Sequence, residues 1–104
     1  MDDEEYVQPS KKGYTVYTKS GCIQCTEVKN FLRKEGVDIV TTIVDCDEYI
    51  IEDKPGLIRF LNELAGTEIK MFPVIFFEEE YVGGMKETRD HLYKMLSFST
   101  ETQF

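Results

Sequence analysis

Residues 14–18, Tyr-Thr-Val-Tyr-Thr, interleave aromatic and β-branched side chains, a pattern that predicts a short strand. From Ile23 the period lengthens: Val28, Phe31 and Leu32 recur at helical spacing, and Gly36 supplies a stop. Residues 37–44, VDIVTTIV, are rich in β-branched side chains and predict a second strand. Residues 45–55 read as a polar connection that carries Cys46. Leu57, Ile58, Phe60, Leu61, Leu64 and Ala65 then form a broad apolar helical face closed by Gly66. In FPVIFFEEEYVGG, a strand over 74–77, an acidic turn at 78–80 and a short strand ending at Gly83-Gly84 predict a hairpin. Leu92, Met95 and Leu96 share one side of a closing helix over 87–98.

The order strand, helix, strand, helix, strand, strand, helix is that of an α/β protein. Its first part is a βαβ unit with a parallel strand pair, and its last part is a hairpin followed by a helix. The expected architecture is a four-stranded mixed sheet flanked by helices. Residues 1–12, acidic and then basic, read as a flexible tail, and residues 13–104 as a single domain. A length of 104 residues suits one domain, and a hydrophobic share of 41% with seven Phe and six Tyr lets it build a core without staples.

Charge and cysteine count narrow the function. A formal net charge of −8 argues against nucleic acid as a partner, because phosphate binders present a basic face. The apolar runs are too short to span a membrane, and MDDEEYVQPSKK lacks the apolar centre of a secretion signal. The expected location is therefore cytoplasmic. Three cysteines are too few, and odd in number, for a disulfide framework.

Cys22 and Cys25 must then be read as a local pair, and a structural disulfide, a zinc half-site or a redox centre could all begin this way. Zinc takes four ligands, and only the isolated Cys46 and His91 remain, with no second Cys-x-x-Cys, so no metal site is expected. The position of the pair favours redox chemistry. Cys22 falls where a helix starts, and the orphan N–H groups and positive dipole end there stabilise a thiolate. Lys19, three residues earlier, adds a positive charge. Both effects lower the pKa of Cys22 and make it the nucleophile, with Cys25, almost one turn deeper, as the resolving thiol. Cys46 reads as a small apolar filler and His91 as a residue of the closing helix without a catalytic role.

Three motifs in order, "YTKSGCIQC", "KMFPV" and "VGGMKE", make the chain resemble a dithiol glutaredoxin from about Tyr14 to Leu96. The resemblance implies a thioredoxin-like fold and a glutathione-dependent thiol–disulfide oxidoreductase with a redox-active Cys22–Cys25 disulfide. Such an enzyme reduces glutathione mixed disulfides and protein disulfides. It uses glutathione as co-substrate and holds no tightly bound cofactor. The resemblance also implies a glutathione site. Lys19 would pair with a carboxylate of the tripeptide, assisted by Lys70. Phe72 would offer its backbone to the cysteinyl part, beside a cis Pro73. Gly84, Met85 and Lys86 would hold the γ-glutamyl carboxylate at a helix N-terminus. Gln24 would line the groove where the family has an aromatic ring, and Glu87 stands where the family has Asp. Glutathionylated or disulfide-containing proteins are the implied partners, and the chain is expected to be a monomer.

Cys-Ile-Gln-Cys is also similar to the centre of glutaredoxin-like donors to ribonucleotide reductase, which are fed by thioredoxin reductase. Their Trp-Ser-Gly-Phe-Arg-Pro segment is absent here, and Gly83-Gly84 stands in that region. A non-catalytic thioredoxin-like binding module is the alternative from another class.

Overall fold

Strand β1 (Tyr14–Thr18) is buried along its whole length, as a central strand covered on both faces must be. In the computed structural model, which describes residues 6–101 with side chains through residue 97, β1 pairs on both sides. It runs parallel to β2 (Thr41–Asp45), with Tyr14 opposite Thr41, and antiparallel to β3 (Val74–Phe77), with Tyr17 opposite Val74. β3 pairs antiparallel with β4 (Glu80–Gly83), which completes the sheet order β2-β1-β3-β4. Helices α1 (Ile23–Glu35), α2 (Asp47–Ala65) and α3 (Met85–Glu101) flank this four-stranded mixed sheet, as the sequence pattern predicts. Among the described residues, no helix is long and apolar enough to cross a membrane.

The two-residue period of the strands divides the core. Tyr14, Val16 and Ile75 point to one face and pack with Val28 and Leu32 of α1 and with Leu92 of α3. Tyr17, Val74 and Phe76 point to the other and pack with Leu57, Phe60 and Leu61 of α2. Cys25 belongs to this second cluster, although it sits on α1. The β3–β4 turn uses Glu78 and Glu79 at φ 48° and 77°, the left-handed conformations that tight hairpins favour.

Besides small shifts at the ends of β4 and α3, four differences from the expected boundaries bear on the fold. The second strand begins at Thr41 rather than residue 37, because Gly36 and Ile39 are tied into a turn by the Ile39 N–H donated to the Gly36 carbonyl at 2.9 Å. That reversal brings the chain back alongside β1, where Tyr14 donates its N–H to the Val40 carbonyl. The polar connection expected over 45–55 is largely helical: α2 starts at Asp47 and bends at Asp53, whose φ of −161° and ψ of 77° are not helical. Pro55 cannot supply an N–H to a continuous helix, and Asp53 caps the second segment by accepting the Gly56 N–H at 3.1 Å. The closing helix starts two residues earlier than expected, at Met85.

The flexible tail expected over 1–12 is the fourth difference. Residues 1–5 lie outside the described residues, but Tyr6 is only 3% exposed. Its ring stacks on Phe60 with centroids 4.7 Å apart and meets Tyr49 edge-on at 5.0 Å. Val7 is held from both sides: its carbonyl accepts the Tyr17 hydroxyl at 2.6 Å, and its N–H is donated to the Tyr49 oxygen at 3.3 Å. Ser10 donates its N–H to the Thr15 side chain at 2.8 Å. Polar composition predicts looseness here, but one aromatic ring with long-range partners is enough to dock the segment.

Candidate functional site

The thiol pair sits where β1 hands over to α1. Cys22 is the N-cap of α1, with extended backbone at φ −105° and ψ 106°, and its sulfur accepts the Cys25 N–H at 3.1 Å. A sulfur thus takes the capping role that a Ser or Asp oxygen usually fills. No acidic residue lies in the first turn of α1, so nothing on that turn opposes negative charge on the sulfur. The two cysteines form a disulfide across Cα atoms 5.2 Å apart. Their surroundings differ. Cys25 is buried in the core cluster on the α2 side of the sheet, whereas Cys22 is partly exposed. An attacking sulfur needs access and a resolving one needs only its neighbour, so this asymmetry suits the roles the sequence suggests.

The segment before β3 faces the same sulfur. The Phe72–Pro73 peptide bond is cis, in line with the resemblance, and the Phe72 carbonyl oxygen lies 3.6 Å from the Cys22 sulfur. Beyond Phe72 a groove of about 460 Å³ opens. Gln24, Lys70, Phe72, Pro73, Gly84, Met85 and Lys86 all line it, drawn from α1, the loop before β3 and the start of α3. Seven of the eight residues singled out for ligand contact thus share one concavity. Lys19 is the eighth, and it lies off the groove wall with its Nζ 5.8 Å from the centre of the Phe72 ring.

Charge in the groove is balanced: Lys70, Lys86 and Arg89 face Glu27, Glu68 and Glu87. In a chain of net charge −8, that balance leaves a site far less repulsive to an anion than the rest of the surface. Glu87 has a second task, since its Oε1 accepts the Gly84 N–H at 2.9 Å and so caps α3. Gly83, at φ 136°, makes room for this: a Cβ there would come within 2.7 Å of the Glu87 side chain. Tyr81 also lines the groove, and burial followed by the Glu87 carboxylate raises its pKa. No motif marks Tyr81 in the sequence: it stands opposite Phe76, and a register shift at Ile75/Phe76 interrupts the regular pairing between it and Gly83.

The remaining candidates lie elsewhere. Cys46 caps α2 in full burial; its thiol is pushed from 9.0 up to about 12, first by desolvation and then by the Asp45 and Asp47 carboxylates. It stays protonated at physiological pH and packs as the filler expected of it. The His91 Nδ1 is hydrogen-bonded to the Tyr14 hydroxyl at 2.7 Å, and its ring packs on Phe77. Burial, then the Lys94 charge, lowers its pKa. Among the described residues, no group of three or more His, Cys, Asp or Glu side chains is placed to hold a metal ion.

The glutaredoxin family profile matches residues 14–82. Glutaredoxin 1 from Francisella tularensis, solved with cacodylate, has a similar fold, with a TM-score of 0.65 and 24% identity over 81% of this chain and 95% of that one. Reduced Escherichia coli glutaredoxin gives a TM-score of 0.62 and 23% identity over 81% and 96%. A buckwheat glutaredoxin–glutathione complex gives 0.62 and 22% over 83% and 77%. No curated protein sequence matches. A family match across two thirds of the chain, a shared fold and a Cys-x-x-Cys disulfide at the strand-to-helix junction agree: the chain belongs to the glutaredoxin family and is a thiol–disulfide oxidoreductase.

Proposed function

We propose that the protein reduces disulfides at the expense of glutathione, with Cys22 as the nucleophile. The observation that carries this reading is the groove that begins at the Phe72 carbonyl, 3.6 Å from the Cys22 sulfur, and ends at the N-terminus of α3. Its volume, about 460 Å³, lies in the usual range for small-ligand sites and suits a tripeptide. Lys70, Lys86 and Arg89 supply cationic partners for its carboxylates, and the Phe72 backbone can pair with it as an added strand. That a buckwheat relative was solved in complex with glutathione supports the same choice.

In the proposed mechanism, the Cys22 thiolate attacks the glutathione sulfur of a mixed disulfide. The Cys22–glutathione bond forms as the substrate sulfur leaves and takes up a proton. A second glutathione thiolate then attacks the glutathione sulfur of that adduct, which releases oxidised glutathione and restores the Cys22 thiolate. With a protein disulfide, Cys22 forms a mixed disulfide with the substrate and Cys25 attacks Cys22. This frees the substrate as a dithiol and leaves the Cys22–Cys25 disulfide for two glutathione molecules to reduce. Glutathionylated and disulfide-containing proteins are the substrates of this scheme, and the protein works as a monomer in the cytoplasm.

A coupled assay decides the reductant. Glutathione with glutathione reductase and NADPH will sustain turnover of a glutathione mixed disulfide, and thioredoxin reductase with NADPH alone will not. The reverse result would reject glutathione and favour a thioredoxin-reductase-fed donor, with ribonucleotide reductase as a candidate acceptor.

A further inference from the structure

The turn from β1 to α1 is latched to another element at its midpoint. Ser20 donates its N–H to one carboxylate oxygen of Asp47 at 2.8 Å and its hydroxyl to the other. Asp47 is the first residue of α2, and its own N–H is donated to the Asp45 carboxylate at 2.9 Å. One residue earlier, Cys46 donates its N–H to the Thr18 carbonyl at 2.8 Å. The start of α2 therefore grips the turn at Thr18 and twice at Ser20, two residues before Cys22. Between Ser20 and Cys22 lies Gly21 at φ 73°, a left-handed setting that glycine adopts without steric cost and can equally leave, so the path of the turn is not fixed by the glycine alone.

We propose that Asp47 is a positioning residue for the thiol, holding the turn so that Cys22 takes the α1 N-cap and its sulfur receives the Cys25 N–H. A carboxylate suits the task because it is purely an acceptor and its two oxygens match the two Ser20 donors. Those same bonds hold the Asp47 carboxyl below its ordinary range, so the latch is ionised at neutral pH. The charge itself works in the opposite sense, since a nearby carboxylate disfavours a thiolate. Geometry and charge thus predict opposite changes when Asp47 is replaced, and that opposition makes the test decisive.

The proposal rests on the reading of Cys22 as the attacking sulfur. The experiment follows the rate of Cys22 alkylation by iodoacetamide against pH in the reduced protein, with the label located by mass spectrometry. It compares wild type, Asp47→Asn, Asp47→Ala, Ser20→Ala and the double alanine variant, with thermal melting as the check on folding. The Asp47→Ala protein is expected to react about 3- to 10-fold more slowly near pH 6, through an upward shift in midpoint of about half to one pH unit. Asp47→Asn keeps one acceptor oxygen and restores most of the rate. The double variant is no slower than Asp47→Ala alone, because both substitutions remove one interaction. Ser20→Ala lies outside α2 and reports on the latch even if Asp47→Ala weakens that helix. Unchanged rates, faster reaction in both Asp47 variants, or additive losses would each overturn the proposal. Failure of the nucleophile reading looks different: wild-type Cys22 itself would then alkylate as an ordinary thiol.

Discussion

Cys22→Ser will bring turnover of both glutathione mixed disulfides and protein disulfides down to the uncatalysed background, a loss of at least ~10³-fold, since only a thiolate attacks a disulfide at neutral pH. The other sulfurs cannot take over. Cys25 is buried on the core side of α1, and Cys46 is buried with its thiol pushed up to about 12. Cys25→Ser will divide the two substrate classes. It will retain turnover of glutathione mixed disulfides, because a second glutathione resolves the Cys22 adduct, and it will lose turnover of protein disulfides, because the internal resolving sulfur is gone. Steady-state rates with a glutathionylated peptide and with a disulfide-bonded protein check both. Loss of the first activity in Cys25→Ser would mean that the roles of the two sulfurs have been assigned wrongly.

Tyr6→Ala will destabilise the domain by about 3–5 kcal/mol, the usual cost of deleting a buried aromatic ring. The ring is stacked on Phe60 and edge-on to Tyr49, so its removal leaves a cavity beside α2 as well as exposed surface. Against a typical total of about 5–15 kcal/mol the loss is severe, and at roughly 4 °C per kcal/mol the melting temperature should fall by about 12 °C or more. Urea denaturation of the two proteins measures it. A change of about 0.5 kcal/mol or less, the range of ordinary surface substitutions, would mean that the segment around Tyr6 does not carry the weight its packing implies.

The docking of Tyr6 also illustrates what the sequence concealed. Strands β1 and β3 were legible because both are central, buried apart from the half-buried Phe77, and written in β-branched and aromatic residues. Helix α1 was legible because Val28 and Leu32 keep its period and Gly36 ends it. The first half of α2 was not, since Asp47, Glu48, Glu52 and Asp53 give it a polar reading while only Tyr49 and Ile50 pack inward. Pro55 then disguised the continuation, because a proline with an aspartate two residues before it looks like a loop and here marks a bend. Tyr6 lacked any local periodicity, and its partners lie more than forty residues away.

The groove was legible for a different reason. Its residues come from three short motifs that each keep a recognisable local form, so the fold had only to bring the motifs together, and seven of the eight candidates line one concavity. The grip of Asp47 on Ser20 escaped notice because it joins two segments that carry no shared pattern. Such contacts between a loop and a helix start depend on the tertiary path, which a reading of periods does not supply.

Ionisation of the Cys22 sulfur is the point on which the whole account turns, and the alkylation rate of that residue against pH tests it most directly. The measurement compares reduced native protein with the same protein unfolded in denaturant, where no helix N-terminus acts on the sulfur. The native midpoint is expected at least about one pH unit below the ~8.5 of a free cysteine, and an ordinary midpoint is expected once the chain is unfolded. Coincident curves, both centred near ~8.5, would contradict it.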